Sequence, residues 1–348
     1  MGLGLQPPHQ AGNVGRVNSA SRQYRSVFVT AVVALGGCGW QSPQSTLAPR
    51  SDFARAISGV YGLIAWATVI IALVVFALLA LVLIRYREQR GAPLPRQTRG
   101  HTLLEIGWTI APALVLLVIA IPTIEVIFRT QQAAPRDAIR VVVRGWQWWW
   151  EFRYPDLGVV TANELYLPVG RPVVLSLEGP DVIHSFWVPQ LGGKRDVVPG
   201  RHNTIVLTPQ AAGEYPGQCA EFCGASHANM RLRVFAVAPE QFDRWLVAQR
   251  AAAVEAAGDA AAGKEIFTRN ACVGCHTIRG VSAGILAPDL THFGSRTTLA
   301  AGMFPNTLDN VTAWLRDPPA IKPGSKMPNL GLSEADARAL AVYLLSLK

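Results

Sequence analysis

The chain has 348 residues, a formal net charge of +9 and five cysteines, and half of it is hydrophobic. That length leaves room for two or three domains, and the positive mean hydropathy calls for a membrane part. The Lys and Arg residues fall in the N-terminal region and between apolar stretches rather than on an aromatic-interleaved face, which excludes nucleic acid as the expected partner.

At the N-terminus, Arg22 and Arg25 precede a short apolar run from Val27 to Leu35 and then Gly36-Gly37-Cys38, the pattern of a secretory signal too short to span a bilayer. The Leu-Gly-Gly-Cys ending resembles a bacterial lipoprotein cleavage site, which would make Cys38 a lipidated first residue. An ordinary cleavage site with an incidental cysteine is the other reading. Residues ahead of Arg22 read as an extension before a later start.

Two apolar stretches follow, Ile57 to Ile84 and Leu103 to Phe128, each reaching the ~20 residues that a membrane-crossing helix needs. Between them Arg85, Arg87, Arg90, Arg96 and Arg99 stand against a single Glu88, so the positive-inside rule puts this loop in the cytoplasm. Everything beyond Arg129 is then expected outside, on the periplasmic face of a bacterial inner membrane. Glu105 sits one turn into the second helix. It reads either as a terminal charge favoured by the helix dipole or as a proton-entry group.

Past Pro135 the pattern changes to short β-branched runs, Ile139 to Val143, Val173 to Leu177 and Thr204 to Leu207, separated by Gly and Pro, which predicts an all-β sandwich over 135–240. Within it lie Cys219-Ala-Glu221-Phe-Cys223-Gly-Ala-Ser-His227-Ala-Asn-Met230 and, earlier, Asp181-Val-Ile-His184. Two thiolates, two imidazoles and a thioether are soft ligands that suit copper. A second cysteine distinguishes this set from a one-Cys blue-copper site and lets two sulfurs bridge two metal ions. A simple Cys219–Cys223 disulfide is the bland alternative. Trp146-Gln147-Trp148-Trp149-Trp150 is expected on one strand, with Trp146, Trp148 and Trp150 on one face and Trp149 on the other.

An Ala-rich stretch, 241–257, reads as a helical linker to a last unit, 258–348. Cys272-Val-Gly-Cys275-His276 presents two thiols to two haem vinyl groups and an imidazole to the iron, the signature of covalent haem c attachment. Met327, in Pro323-Gly-Ser-Lys-Met327-Pro328, is preferred as the second axial ligand over Met303; a His/Met pair raises the haem potential. A thioredoxin-like reading of the cysteine pair lacks the β-α-β pattern it needs.

Over 146–235 these residues resemble the dinuclear-copper (CuA) domain of cytochrome c oxidase subunit II, and 258–348 resembles a class I cytochrome c. The fold implied is multidomain: a two-helix transmembrane hairpin within 39–134, a cupredoxin-like sandwich and an all-α cytochrome domain. The resemblance implies that Cys219 and Cys223 bridge two coppers, that His184 and Met230 complete one, and that His227 and the Glu221 carbonyl complete the other. It further implies a magnesium near Glu221 shared with subunit I, electron entry at the tryptophans (Trp148, with Trp149 and Trp150), and a proton channel opened by Glu105 in Glu105-Ile-Gly-Trp108-Thr-Ile-Ala-Pro112. Expected partners are subunit I, which would reduce oxygen, other oxidase subunits, and a cytochrome or respiratory complex as donor. A nitric oxide reductase of similar build and a non-enzymatic copper-binding or redox-sensing membrane protein are the competing classes; the quinol-oxidising branch lacks the copper ligands present here.

Overall fold

The computed structural model describes residues 42–87, 91, 93, 97–253 and 255–348. The signal segment with Cys38, and Glu88, Arg90 and Arg96, lie outside the described residues.

Helix α1, Asp52–Arg85, starts at Ser51, whose hydroxyl accepts from the Ala54 amide, and Asp52 in the first turn complements the helix dipole. Its 34 residues span about 51 Å at roughly 1.5 Å per residue, against a hydrocarbon core of about 30 Å. Helix α2, Thr102–Thr130, is capped by His101 and contains Pro112 and Pro122. Both helices are long and apolar enough to cross a membrane, and they start before the apolar runs because their polar caps belong to the helix. The first turn of α1 is fixed to the domain that follows: the buried Ser51 hydroxyl donates to the Leu191 carbonyl at 2.6 Å, Asp52 accepts from the Thr208 amide at 2.6 Å, and the Phe53 ring lies where a Cβ at Gly192 would be.

The β domain is a sandwich of two five-stranded sheets. One holds, in order, β3 (Val159–Ala162), β2 (Trp149–Tyr154), β1 (Ile139–Trp146), β5 (Val173–Glu178) and β8 (Asn203–Leu207). The other holds β4 (Glu164–Pro168), β10 (Arg231–Val237), β9 (Gly213–Cys219), β6 (His184–Trp187) and β7 (Arg195–Val197). Strand β1 pairs parallel with β5, Ile139 opposite Val173, and β10 parallel with β4; the remaining ladders are antiparallel. Alternation does the sorting: Val173, Leu175 and Leu177 point inward from β5 and meet Leu165, Phe186 and Val234 of the facing sheet. Each such side chain contributes about 1.5–3 kcal/mol by leaving water.

The tryptophan run departs from the expected single strand. Gln147 and Trp148 form the turn between β1 and β2, so Trp146 and Trp149 are cross-strand partners with stacked rings 6.1 Å apart. A two-residue turn reverses the chain and resets the alternation, which puts Trp146 and Trp149 on one face.

The 241–257 stretch also differs from a free linker. Helix α3, Pro239–Arg250, buries Phe242 and Leu246 against the sandwich, and Trp245 stacks on Tyr166 at 4.6 Å. Its apolar residues recur at i, i+3 and i+4, and that stripe is what docks.

The last unit is helical. Helices α4 (Asp259–Arg269), α5 (Leu308–Arg316) and α6 (Glu334–Ser346) pack around Phe267, Leu340 and Tyr343. Gly263 of α4 lies against the Ala339 carbonyl of α6, an approach that a Cβ would prevent. Thr307 and Ser333 cap α5 and α6 by accepting from the Asn310 and Asp336 amides.

The two soluble domains touch directly. Glu164 of β4, 2 % exposed, accepts from the amides and hydroxyls of both Thr297 and Thr298 at 2.7–3.2 Å. Arg279 donates to the Gln249 and Arg250 carbonyls at the C-terminal end of α3, where orphan carbonyls and the helix dipole favour a cation.

Candidate functional site

The first cluster is built on one end of the sandwich. His184 opens β6, Cys219 closes β9, and Cys223, His227 and Met230 follow in the loop that leads back into β10. His184 and Met230 are fully buried and the two cysteines nearly so. The cysteines are free thiols with sulfurs 3.8 Å apart, so this is not the disulfide alternative. Nδ1 of His184 lies 3.9 Å from the Cys219 sulfur, and Nδ1 of His227 lies 3.6 Å from that of Cys223. The Met230 sulfur is 3.8 Å from Cys223, and the Glu221 carbonyl oxygen 3.2 Å from Cys219. Thus six donor groups distant in sequence or splayed along a loop converge on one small volume.

Electrostatics favour thiolate in that volume. The neighbouring Cys223 thiol and then His184 hold Cys219 well below the ordinary thiol range against the opposing effect of burial, while the Cys219 sulfur and burial push Cys223 up. A bound cation would release the second proton, since soft metals take the thiolate form. His184 Nε2 is 2.9 Å from Asp181. A carboxylate can only accept, so Nε2 carries the hydrogen and the Nδ1 lone pair faces the sulfurs. Gly145 of β1 gives the imidazole its room: a Cβ there would stand 3.0 Å from His184 Cδ2.

Trp148 covers this cluster, 8 % exposed. Its indole Nε1 and the Gln147 side chain both donate to the Cys223 carbonyl, at 3.0 and 2.8 Å. Trp150 is fully buried beneath, edge-on to His184, whereas Trp149 is half-buried on the other side of the hairpin.

The second cluster is a cavity in the helical unit lined by Cys272, His276, Met327, Leu290, Trp314 and Leu340, among others. Met303 is not among its lining residues. His276 Nδ1 is 2.7 Å from the Pro288 carbonyl, another pure acceptor, which leaves Nε2 as the free ligand atom. Burial lowers the His276 pKa, favouring the neutral imidazole that a metal needs. An apolar cavity with one imidazole, one thioether and the Cys272 thiol in its wall fits a covalently attached haem, as the sulfur-rich cluster fits copper; Cys275, next to His276 in sequence, is not among the lining residues.

Other residues singled out by sequence fall apart from both clusters. Glu105 sits in the first turn of α2, its carbonyl accepting from Thr109. The Glu221 side chain is exposed, 3.6 Å from Lys194. Sequence reasoning gave no role to Asp181, Gly145 or Gln147. Asp181 stood three residues before His184, and that spacing was the available signal.

Family models match in three places: cytochrome c oxidase subunit II transmembrane domain at 53–126, its periplasmic domain at 158–237, and cytochrome c at 260–348. Cytochrome c oxidase subunit 2 of Alkalihalophilus pseudofirmus is 36 % identical over 338 residues, covering 95 % of this chain and 98 % of its own length. The chain belongs to the cytochrome c oxidase subunit 2 family. Its counterpart from Bacillus subtilis is 34 % identical over 352 residues, covering 94 % of this chain and 98 % of that protein. Quinol oxidase subunit 2 of Bacillus subtilis is 32 % identical over 226 residues, covering only 63 % of this chain and 70 % of its own length. A subunit of this family is the electron-transfer part of an oxidoreductase complex, associated with further oxidase subunits and a membrane. Its periplasmic domain implies the dinuclear copper centre, and its cytochrome domain implies haem c.

Proposed function

We propose that the chain receives electrons at the cytochrome domain and delivers them through the copper domain to subunit I, which reduces oxygen to water and pumps protons. The carrying observation is the convergence of two thiols, two imidazoles and a thioether under Trp148. In this reading Cys219, Cys223, His184, His227, Met230 and the Glu221 carbonyl would hold the two coppers, the thiolates and imidazoles as the stronger donors. Cys272 and Cys275 would attach the haem, and His276 and Met327 would hold its iron.

When bound, the two groups supply one-electron carriers, so a single electron is passed on with no bond made or broken in the protein. The protein's own residues do the rest. Asp181 and the Pro288 carbonyl hold two imidazoles in the ligating tautomer, and the buried wall of Met230, Trp148 and Trp150 keeps water out. A rigid, dry donor set changes little between redox states, which suits a carrier. The Glu221 carboxylate is assigned to a magnesium shared with subunit I, and Glu105 to proton entry.

In this reading the arginine-rich loop with Arg85, Arg87 and Arg99 faces the cytoplasm, which supports a position of both soluble domains on the periplasmic face of the bacterial inner membrane. Donors to the cytochrome domain are a soluble or membrane cytochrome or a respiratory complex. Optical and electron paramagnetic resonance spectra of the copper-loaded, haem-matured chain test the assignment. A low-spin His/Met haem and one unpaired electron shared by two copper nuclei are expected; a single-copper signal would remove the ligand assignment.

A further inference from the structure

The loop that ends at Met327 also touches the copper domain, and it does so through residues that ligate nothing. Lys322 is 4 % exposed, yet both its hydrogen-bond partners are main-chain carbonyls: Trp148 at 2.6 Å and Ala300 at 3.1 Å. A buried amine satisfied in this way gives little to packing that an apolar chain would not give, but it ties one carbonyl from each domain together. Two residues on, Gly324 at φ +79° brings its backbone so close that a Cβ would stand 2.6 Å from Cη2 of Trp148. Between them the Pro323 carbonyl accepts from the hydroxyl of Ser226, the neighbour of His227, at 2.6 Å.

Opposite this loop, Ala300 and Ala301 are both held in the left-handed region, at φ +55° and +63°. That conformation is unfavourable for residues with a Cβ and persists only where surroundings impose it. Here the Ala300 carbonyl is held by Lys322 and that of Ala301 by the Arg231 amide, 3.1 Å away and next to Met230.

We propose that Lys322 and Gly324 are positioning residues for electron transfer, seating the Met327 loop on the outer ring of Trp148. The same indole is then the contact shared by both ligand loops, because its Nε1 already donates to the Cys223 carbonyl. Electron tunnelling decays more steeply across a through-space gap than along bonds and hydrogen bonds, so closing this gap matters more than the strength of the contact. The proposal rests on the ligand assignment above.

Its test uses the purified oxidase complex carrying Lys322→Met or, separately, Gly324→Ala. Spectra and midpoint potentials of the haem and copper in the unaltered complex check the assignment itself. Amide hydrogen exchange over 147–150 and 322–326 then reports the seating without any turnover. Flash-induced reduction of the cytochrome domain, followed by the rise of the reduced copper signal, reports the transfer. Both variants are expected to keep spectra and potentials, exchange faster in the two segments, and transfer about tenfold or more slowly, equivalent to about 1.4 kcal/mol of barrier. Transfer at the unaltered rate in both variants, whether or not exchange changes, would overturn the proposal.

Discussion

Trp148 donates its indole N–H to the carbonyl oxygen of Cys223 at 3.0 Å, so an aromatic ring is hydrogen-bonded to the backbone of a residue whose sulfur faces the candidate copper site. Replacing Trp148 with Phe keeps most of the packing and leaves that carbonyl with the Gln147 donor. The expected stability loss is about 1 kcal/mol, while copper reduction from the cytochrome domain slows by about tenfold or more. Stopped-flow reduction compared with thermal unfolding separates the two, and unaltered kinetics would remove Trp148 from the route.

Asp181 sets the tautomer of His184 and also accepts from the Gln147 and Val182 amides. Asp181→Asn removes the negative charge and one of the two acceptor oxygens, so an N–H₂ must face either the Gln147 amide or His184 Nε2–H and the imidazole is held less firmly. Copper affinity should fall by about 10–100-fold, the usual cost of disturbing a ligand's supporting hydrogen bond. Titration against a copper chelator measures it; equal affinity would mean that the cluster orients itself.

Glu164 is the buried acceptor joining β4 to Thr297 and Thr298. Glu164→Leu leaves the amides and hydroxyls of both threonines without their common acceptor, Oε1, and the expected destabilisation is about 2 kcal/mol. Denaturant unfolding followed at the haem band checks this. An unchanged midpoint would show that the two domains hold together without it.

Burial pushes the Lys322 amine down to about 7. In the unfolded chain the same amine titrates near 10.4, as lysines ordinarily do. Between these values the unfolded state binds the extra proton, so stability should rise with pH by up to about 1.4 kcal/mol per unit and level off below about pH 7. A neutral amine has two N–H groups, which is what the Trp148 and Ala300 carbonyls require. Unfolding free energies from pH 7 to 10 should therefore climb less steeply in Lys322→Met than in the unaltered chain; parallel profiles would contradict the shift.

The two apolar runs and the strands around Val173 and Thr204 were legible because each follows from local periodicity. The ligand residues were legible because thiols, imidazoles and a thioether at close spacing have few other uses. What could not be read is what depends on the chain folding back. Trp148 was placed within a strand because nothing in Gln147-Trp148 has turn chemistry. Helix α3 looked like a linker because its stripe of Phe242, Trp245 and Leu246 is short and set among Ala and charged residues. Lys322 and Glu164 carry no local signal of burial; it comes from partners more than a hundred residues away.

The first turn of α1 is bolted to the sandwich at Ser51, Asp52 and Phe53 without a hinge. Of its roughly 51 Å, about 20 Å exceeds the hydrocarbon core. The helix is therefore a mast that sets the standing height of the copper domain over the lipid and couples its tilt to the bilayer.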